Sequence, residues 1–529
     1  MDHQHITKIG SRVCMAAAVA FFCWAISLCY IPQKGFSGLV QFGDSFVERQ
    51  LSEVRALNPY VMEHSMGYDG QFYAQLAVRP DPADPEVQRA LDTPAYRARR
   101  MLLPWVAHLL GAGRPAWVLQ VYALLNVASW LALAALLWRW FPPVGAERTL
   151  RWLGVLFSAG LLASVRNALA DGPSLLLLAA GMRWLELRRP WLAAATLGLA
   201  GLARETSVLA GVAFLDGLRK SWRDWGRTCV QGVLVVLPVA LWLFYLRHVL
   251  PQEGGAGAGN FALPFSGVCN RAVSLWTVLR GADHVPFYTW YSLALLVSLV
   301  VQACFFLLRP RWSDPWWRVG AIHAVLLAFL GDAVWAGYPE AAGRVLLPML
   351  LAFNVALPYG RRWWAVCLLG NLSVVSAIDT LRPVGGYDEL RVVSDQIGGG
   401  AQVSVSFSGP WFQMERSYWG RSRWSGGPAE VCVENPHGRP LVAEWSFGIN
   451  SHTPREAYLY VGEALVWRGQ LEWNQRNFRT GPVRLPPGES RWRFCTDPAE
   501  PDAPTETDPR ALAFRVYDLK LEVSEPPAP

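Results

Sequence analysis

Long apolar runs recur along the first 380 residues, and no other feature restricts the fold as sharply. Residues 13–31, 116–141, 230–250, 287–308, 319–335 and 363–378 are each long enough to cross the hydrocarbon layer, which is roughly 30 Å thick and takes about 17 to 20 helical residues. A backbone in lipid must satisfy its own hydrogen bonds, so these runs predict helices. With 52% hydrophobic residues, 27 Trp and only 17% charge, the composition sets aside a string of soluble domains and points to a multi-pass membrane protein.

The formal charge of +7 would suit nucleic acid if it were gathered in one patch. It is instead spread over short clusters between the apolar runs: Lys8/Arg12, Arg139/Arg148/Arg151, Arg188/Arg189, Arg219/Lys220/Arg223/Arg227, Arg309/Arg311/Arg318 and Arg361/Arg362. Clusters of this kind mark the cytoplasmic ends of spans, so no nucleic-acid partner is expected. Lys8 and Arg12 precede an apolar run that lacks a small-residue cleavage site, the pattern of a retained signal anchor. The path that follows has about eleven spans, with the N-terminus cytoplasmic and the C-terminus outside. It divides the chain into a transmembrane domain over 1–382 with its first external loop at 32–100, a linker over 383–400, and an external domain over 401–525.

Two apolar stretches, 151–188 and 189–219, are too long for one span and short for two, and each carries charge in its middle. Read as hairpins, they place Arg166, Asn167 and Asp171 at one tip and Arg204 and Glu205 at the other, on the side away from the basic clusters. A charge at the bilayer centre costs about 2.5 to 3.5 kcal/mol on insertion scales, so these side chains face protein or a water-filled cavity. After residue 383 the pattern changes to short alternating segments such as AEVCVEN and EAYLYVGEALVW, with turns every eight to twelve residues. That rhythm predicts an antiparallel β-sandwich. Cys432 and Cys495 fall in its strands, where oxidation outside the cell would permit a disulfide. Trp411, Trp419, Trp424, Trp467 and Trp473 could stack on sugar rings, although large aromatics more often fill a core.

The first external loop holds Gly43-Asp44-Ser45, then Gly67-Tyr68-Asp69-Gly70-Gln71-Phe72-Tyr73 followed by Gln75-Leu76-Ala77, then Tyr96-Arg97-Ala98-Arg99-Arg100 ahead of MLLPWVAHLLG. The spacing of Asp69, Phe72/Tyr73 and Leu76 predicts a short helix at the membrane interface, and an Asp at its start would cap free amides. This layout resembles the GT-C superfamily of integral-membrane glycosyltransferases, which carry acidic residues in a long first external loop. The segment from Tyr68 to Tyr73 is similar to the aromatic-Asp-x-x-aromatic motif of mannosyltransferases related to the second enzyme of GPI-anchor assembly. Arg100-Met101-Leu102-Leu103-Pro104 is similar to their following apolar-Pro segment. The layout is also similar to that of bacterial multi-pass proteins of cell-surface glycopolymer formation. Arg99 and Arg100 stand where the GPI enzymes have aromatics, and those enzymes lack the β-sandwich.

The resemblance implies a sugar transferred, with inversion, from a polyprenyl-phosphate carrier to a glycan or lipid-linked acceptor outside the bacterial cytoplasmic (inner) membrane. Such a reaction needs a carboxylate to take the acceptor proton and cations to meet the leaving phosphate. Asp69 is the expected base, with Asp44 beside it, and Gln71 and Tyr73 the expected sugar or carrier contacts. Arg204, Arg166 and Arg344, with Arg99 and Arg100 near the loop exit, are the expected phosphate ligands. Asp171, Glu205 and Glu340 lie among them, and ion pairs such as Glu340/Arg344 would be the plainer role. The acids of the loop could also hold a divalent cation, though Asp44 and Asp69 offer no octahedral cage and the metal stays unassigned. His64, His284 and His323 are isolated and are not expected to be ligands. A flippase for lipid-linked sugars or an assembly scaffold would share this topology. Neither the missing internal repeat nor the charges gathered on one side favours a flippase, and a scaffold has no need of buried arginines.

Overall fold

The computed structural model describes residues 3–526 apart from 63–64, 220–221, 251–256, 282–284, 286, 337–340, 382–390, 394–402, 418–419, 473–475, 505–507 and 509. Among the described residues, four helices are long and apolar enough to cross a membrane: Thr7–Ser27, Pro115–Leu137, Trp222–Val249 and Phe287–Leu308. They coincide with four of the six expected runs. On helix Trp222–Val249 the side chains of Val230, Val233, Val236, Leu241 and Phe244 are exposed, an apolar surface that water would not tolerate and lipid does. Inside the layer, Phe22 stacks on Trp130 at 3.7 Å. The indole nitrogens of Trp130 and Trp152 donate to the carbonyls of Leu156 and Ala134, so both rings are buried with no polar atom left over.

The other two runs break. Helix Pro315–Phe329 ends before Gly331, where the chain pairs with 260–265 through Gly331 N to Asn260 O at 2.8 Å and Ala262 N to Phe329 O at 3.0 Å. The last run is a helix over Trp364–Gly370, a turn at Asn371, and a 3-10 segment over Leu372–Ser376. The break is stable because helix Phe287–Leu308 takes up the freed groups. Ser298 Oγ donates to Leu369 O and accepts from Ser373 N, while Gln302 donates to Gly370 O. Asn371 is locked to Asn354 by reciprocal amide hydrogen bonds at 2.9 and 3.0 Å. Length and composition therefore give four crossings where about eleven are expected, with shorter apolar helices over Pro190–Ala203, Glu205–Leu215 and Leu347–Ala356.

The two stretches with central charge do turn where the charge lies. The first folds as helices Ala146–Leu156, Ala159–Arg166 and Asp171–Glu186, and the second as helix Pro190–Ala203 and a 3-10 segment Glu205–Arg219. At the opposite ends, arginines of the basic clusters serve the backbone. Fully buried Arg151 donates to the carbonyls of Asn354, Leu357 and Pro358 and pairs with Glu147 at 2.6 Å, closing the C-terminus of helix Leu347–Ala356.

In the first loop β1 (Phe42–Gly43) pairs in parallel with β2 (Val61–Met62). The C-terminal region contributes β3 (Arg391–Val393), β4 (Ser404–Ser408), β5 (Glu415–Ser417), β6 (Gly420–Ser425), β7 (Ala429–Asn435), β8 (Leu441–Asn450), β9 (Arg455–Val461), β10 (Ala464–Leu471), β11 (Arg476–Arg479), β12 (Val483–Leu485), β13 (Gly488–Asp497) and β14 (Phe514–Ser524). One sheet runs β10-β9-β13-β7-β4; the other runs β11-β8-β14-β6-β5, with β12 on β8 and β3 on β14. Alternate residues of both sheets, among them Val431, Trp445, Leu459, Trp492 and Leu521, meet in one buried core. Within the expected linker, residues 391–393 pair in parallel with β14 and so belong to this sheet.

The core reading of the tryptophans holds where they are described, and the open question of the disulfide is answered against it. Trp411 and Trp424 are buried and Trp467 packs on the core, so these rings are not a sugar platform, and Trp419 and Trp473 lie outside the described residues. Cys432 and Cys495 are free thiols. Cys432 faces Arg491 across the β7–β13 ladder, which leaves Cys495 four residues further along, roughly 13 Å away, where a disulfide tolerates less than about 7 Å between Cα atoms. A maleimide should therefore label both thiols on the unfolded, unreduced chain, with no further labelling after a reductant is added; extra label after reduction would show a bond.

Candidate functional site

Helix Gly70–Val78 is buried along its whole length, inside the first loop and not at the interface as its pattern suggests. Gly70 explains how it gets there. A Cβ on Gly70 would stand 2.3 Å from the carbonyl of Asn167 and 2.9 Å from that of Val40, so only glycine lets the helix start sit on the first hairpin tip. Gln41 completes the joint by donating to Arg166 O at 3.1 Å and to Asn167 Oδ1 at 2.6 Å. The tip itself is held from helix Pro115–Leu137: Tyr122 donates to Ala168 O, Asn126 to Leu169 O, and Asn126 accepts from Ser164. Ala168 has φ of 47°, a left-handed conformation that this lattice of bonds maintains.

Asp69 precedes the helix but makes no side-chain capping bond. Its carboxylate pairs instead with Arg97 Nη1 at 3.0 Å, and Arg97 grips Asp92 with two further bonds at 2.8 and 2.6 Å. The Arg97 guanidinium also lies 4.9 Å over the Phe72 ring. Burial pushes the Asp69 carboxyl up, but Arg97 and then Arg344, with the Arg97 hydrogen bond and Arg100, outweigh it and hold the group below the usual aspartate range. Asp69 is thus ionised at neutral pH. Its side chain keeps 32% exposure, so the carboxylate is reachable.

Arg100 Nε pairs with Glu205 at 3.1 Å, and its other nitrogens donate to the hydroxyls of Tyr73 and Tyr96 at 2.8 and 3.2 Å. This joins the loop exit to the second hairpin tip. Asp171, at the start of helix Asp171–Glu186, places one oxygen against Arg204 and the other 3.6 Å from Arg344. Arg344 reaches on to donate to the Tyr68 hydroxyl at 3.2 Å. Burial first, against the pull of Arg344, moves that phenol up to about 12, so Tyr68 keeps its proton as a donor. Helix Ala159–Arg166 and the segment Ala341–Val345 approach so closely that a Cβ on Gly160 would lie 2.3 Å from the Gly343 carbonyl. That contact sets Arg344 in place.

Asp69, Arg100, Arg204, Glu205, Asp171 and Arg344 therefore share one neighbourhood. Arg166 is 7% exposed and its guanidinium has neither a hydrogen bond nor an ion pair among the described residues. Arg99 is half-buried and lies 5.4 Å from the Tyr96 ring. Asp44 is elsewhere: its carboxylate accepts from Ser65 N at 2.8 Å and braces the loop. Gln71 spends both ends of its amide on Gly43 N and Met66 O, and Tyr73 is buried against Arg100, so both face inward and not toward a ligand. Glu340 lies outside the described residues, as do His64 and His284. His323 is buried with Nδ1 2.8 Å from Val319 O. Among the described residues no three His, Cys, Asp or Glu side chains converge on a metal position.

Sequence reasoning missed Arg97, Asp92 and Tyr68. The run Tyr96-Arg97-Ala98-Arg99-Arg100 signals a basic loop exit but not which arginine turns inward. Compared with known protein families, curated proteins and solved structures, the chain matches none.

The depressed pKa of Asp69 has a definite sign for stability. Its ion pair contributes fully above the ordinary aspartate value and is lost as pH falls through the lower folded value. In a ¹³C-carboxyl NMR titration, Arg97→Gln should raise the Asp69 midpoint and Arg97→Lys should raise it less. An unmoved midpoint in Arg97→Gln would remove Arg97 as the controlling charge.

Proposed function

We propose that the protein is a GT-C-like membrane glycosyltransferase that moves a sugar from a polyprenyl-phosphate carrier to a glycan or lipid-linked acceptor. The observation that carries this reading is a reachable, ionised carboxylate beside the guanidinium groups of Arg97, Arg344 and Arg100, with buried Arg166 of the adjoining hairpin tip unpaired among the described residues. A buried cation without a counter-ion is costly, and an anionic ligand is the simplest relief. Asp69 accepts the proton as the acceptor hydroxyl attacks the anomeric carbon. The bond from that carbon to the phosphate oxygen breaks, and Arg166 with Arg344 and Arg204 meets the charge that develops on the phosphate. Tyr68 can donate to a sugar or phosphate oxygen. Attack opposite the leaving phosphate inverts the anomeric centre.

In this reading the short and broken helices complete further crossings of a bacterial inner membrane, with the site on the outer side. The sheet domain then lies outside and orients the acceptor. Its outward face carries Tyr458 and Tyr460, whose ring centroids are 6.2 Å apart, in place of the buried tryptophans.

The test is transfer of labelled sugar from a synthetic polyprenyl-phosphate donor by the protein in nanodiscs. Asp69→Asn should lower turnover by roughly 10²- to 10⁴-fold with helix content unchanged, while Arg166→Gln should mainly raise KM for the donor. Full activity of Asp69→Asn would remove the base. Passage of donor across vesicles with no new glycosidic bond would make the protein a flippase.

A further inference from the structure

A polar cavity opens at the end of the helix layer away from the candidate site. Helix Asp171–Glu186 begins at the candidate site and ends at this cavity, and sixteen residues of helix separate the two by about 22 Å. The opening has a volume of about 320 Å³ and is lined by Arg227, Thr228 and Gln231 of helix Trp222–Val249, with Phe214, Ser313 and Asp224 among its other walls. Gln231 is only 8% exposed, yet its amide makes no hydrogen bond among the described residues. A carboxamide left unpaired on a membrane-spanning helix calls for a partner from outside the chain. Arg227 lies four residues earlier and therefore on the same helix face, and among the described residues it has no ion pair. Thr228 makes only a long bond, 3.4 Å, to Phe214 O.

The surroundings identify the depth. Trp222, Trp225 and Trp312 are 85%, 47% and 59% exposed, and Arg188, Arg189, Arg223, Arg309 and Arg311 are exposed on the same end of the layer. Exposed tryptophans mixed with arginines mark the headgroup zone of a bilayer, and basic clusters there attract anionic lipid. Asp224 disfavours a bare polyanion but accepts from hydroxyl groups. The match is a headgroup with one phosphodiester charge and free hydroxyls.

We propose that this cavity binds the headgroup of an anionic glycerophospholipid of the phosphatidylglycerol type. Its phosphodiester oxygens take bonds from Arg227, Gln231 and Ser313, and its glycerol hydroxyls face Asp224. The site is independent of the reaction proposed above, since none of its residues belongs to the Asp69 cluster.

Native mass spectrometry of the delipidated full-length protein titrated with phosphatidylglycerol tests this. The wild type should retain one lipid tightly. Arg227→Gln and Gln231→Leu should each weaken retention by about tenfold, the expected loss for one charge-assisted or buried bond to phosphate, and Arg227→Lys should retain most of it. Unchanged helix content and melting would show that the variants remain folded. Equal retention by wild type and both variants would overturn the site. Equal binding of phosphatidylcholine would overturn the anionic choice, and displacement of the lipid by inorganic phosphate alone would overturn a lipid source.

Discussion

The carboxylate of Asp171 is the joint on which the membrane part depends. It is buried, and Arg204 and Arg344 face its two oxygens, so a single acid ties the first hairpin tip, the second tip and the segment Ala341–Val345. Removing one member of a buried ionic group typically costs about 3–5 kcal/mol, because a charge is then stranded in a medium that cannot solvate it. The three elements cannot drift separately. Arg344 extends the joint to Tyr68 and Arg100 extends it through Glu205, and so the first loop is docked by charge as well as by the close contact at Gly70. Direct backbone packing at Gly70 and Gly160 makes the charges meet; without those two glycines the loop and the tips would stand apart.

Arginine does different work at the two ends of the same helices. At the basic end Arg151 and Arg318 donate to carbonyls: Asn354, Leu357 and Pro358 for the first, Val212, Ala213 and Trp312 for the second. Broken or short helices expose C-terminal carbonyls inside the fold, and a guanidinium with five donors is suited to collect them. At the other end Arg97, Arg100, Arg204 and Arg344 are held by carboxylates. A guanidinium bonded to carbonyls is fixed scaffold. One balanced by carboxylates can exchange a partner for a ligand oxygen, which is why the proposed reaction is placed at the acidic end although both ends are rich in arginine.

Much of this was legible in the chain. Four long helices, both charged tips and the alternating strands follow from apolar length, charge position and period, each a local property. The breaks at Gly331 and Asn371 were not legible, because they depend on Asn260, Ser298 and Gln302, residues distant in sequence that absorb the freed backbone groups. The same limit explains the site. Asp69 stands out beside Gly70 and two aromatics, but its partner Arg97 is one of three arginines in five residues. Only the packing of Arg97 over Phe72 and its grip on Asp92 distinguish it. Gln71, expected as a sugar or carrier contact, is buried, since a helix enclosed by its own loop has no solvent face.

The charge count of the cluster bears on what it can bind. Among the described residues Asp69, Asp92, Asp171 and Glu205 are matched by Arg97, Arg100, Arg204 and Arg344, and Arg166 is a further buried cation with no ion pair. A sugar joined to a lipid by a phosphodiester carries one negative charge, which would bring the assembly to neutrality. In the proposed transfer the phosphate would gain a second charge as its bond to the sugar breaks, while Asp69 would take up a proton and lose its own. The total would be unchanged, with negative charge passing from Asp69 beside Arg97 to the phosphate. That movement would release Arg97 from Asp69 while Asp92 still held it, so the guanidinium would not be left unpaired. The arrangement of two acids on Arg97 therefore suits a carboxylate that must change protonation during a reaction, whereas a purely structural pair would need only one.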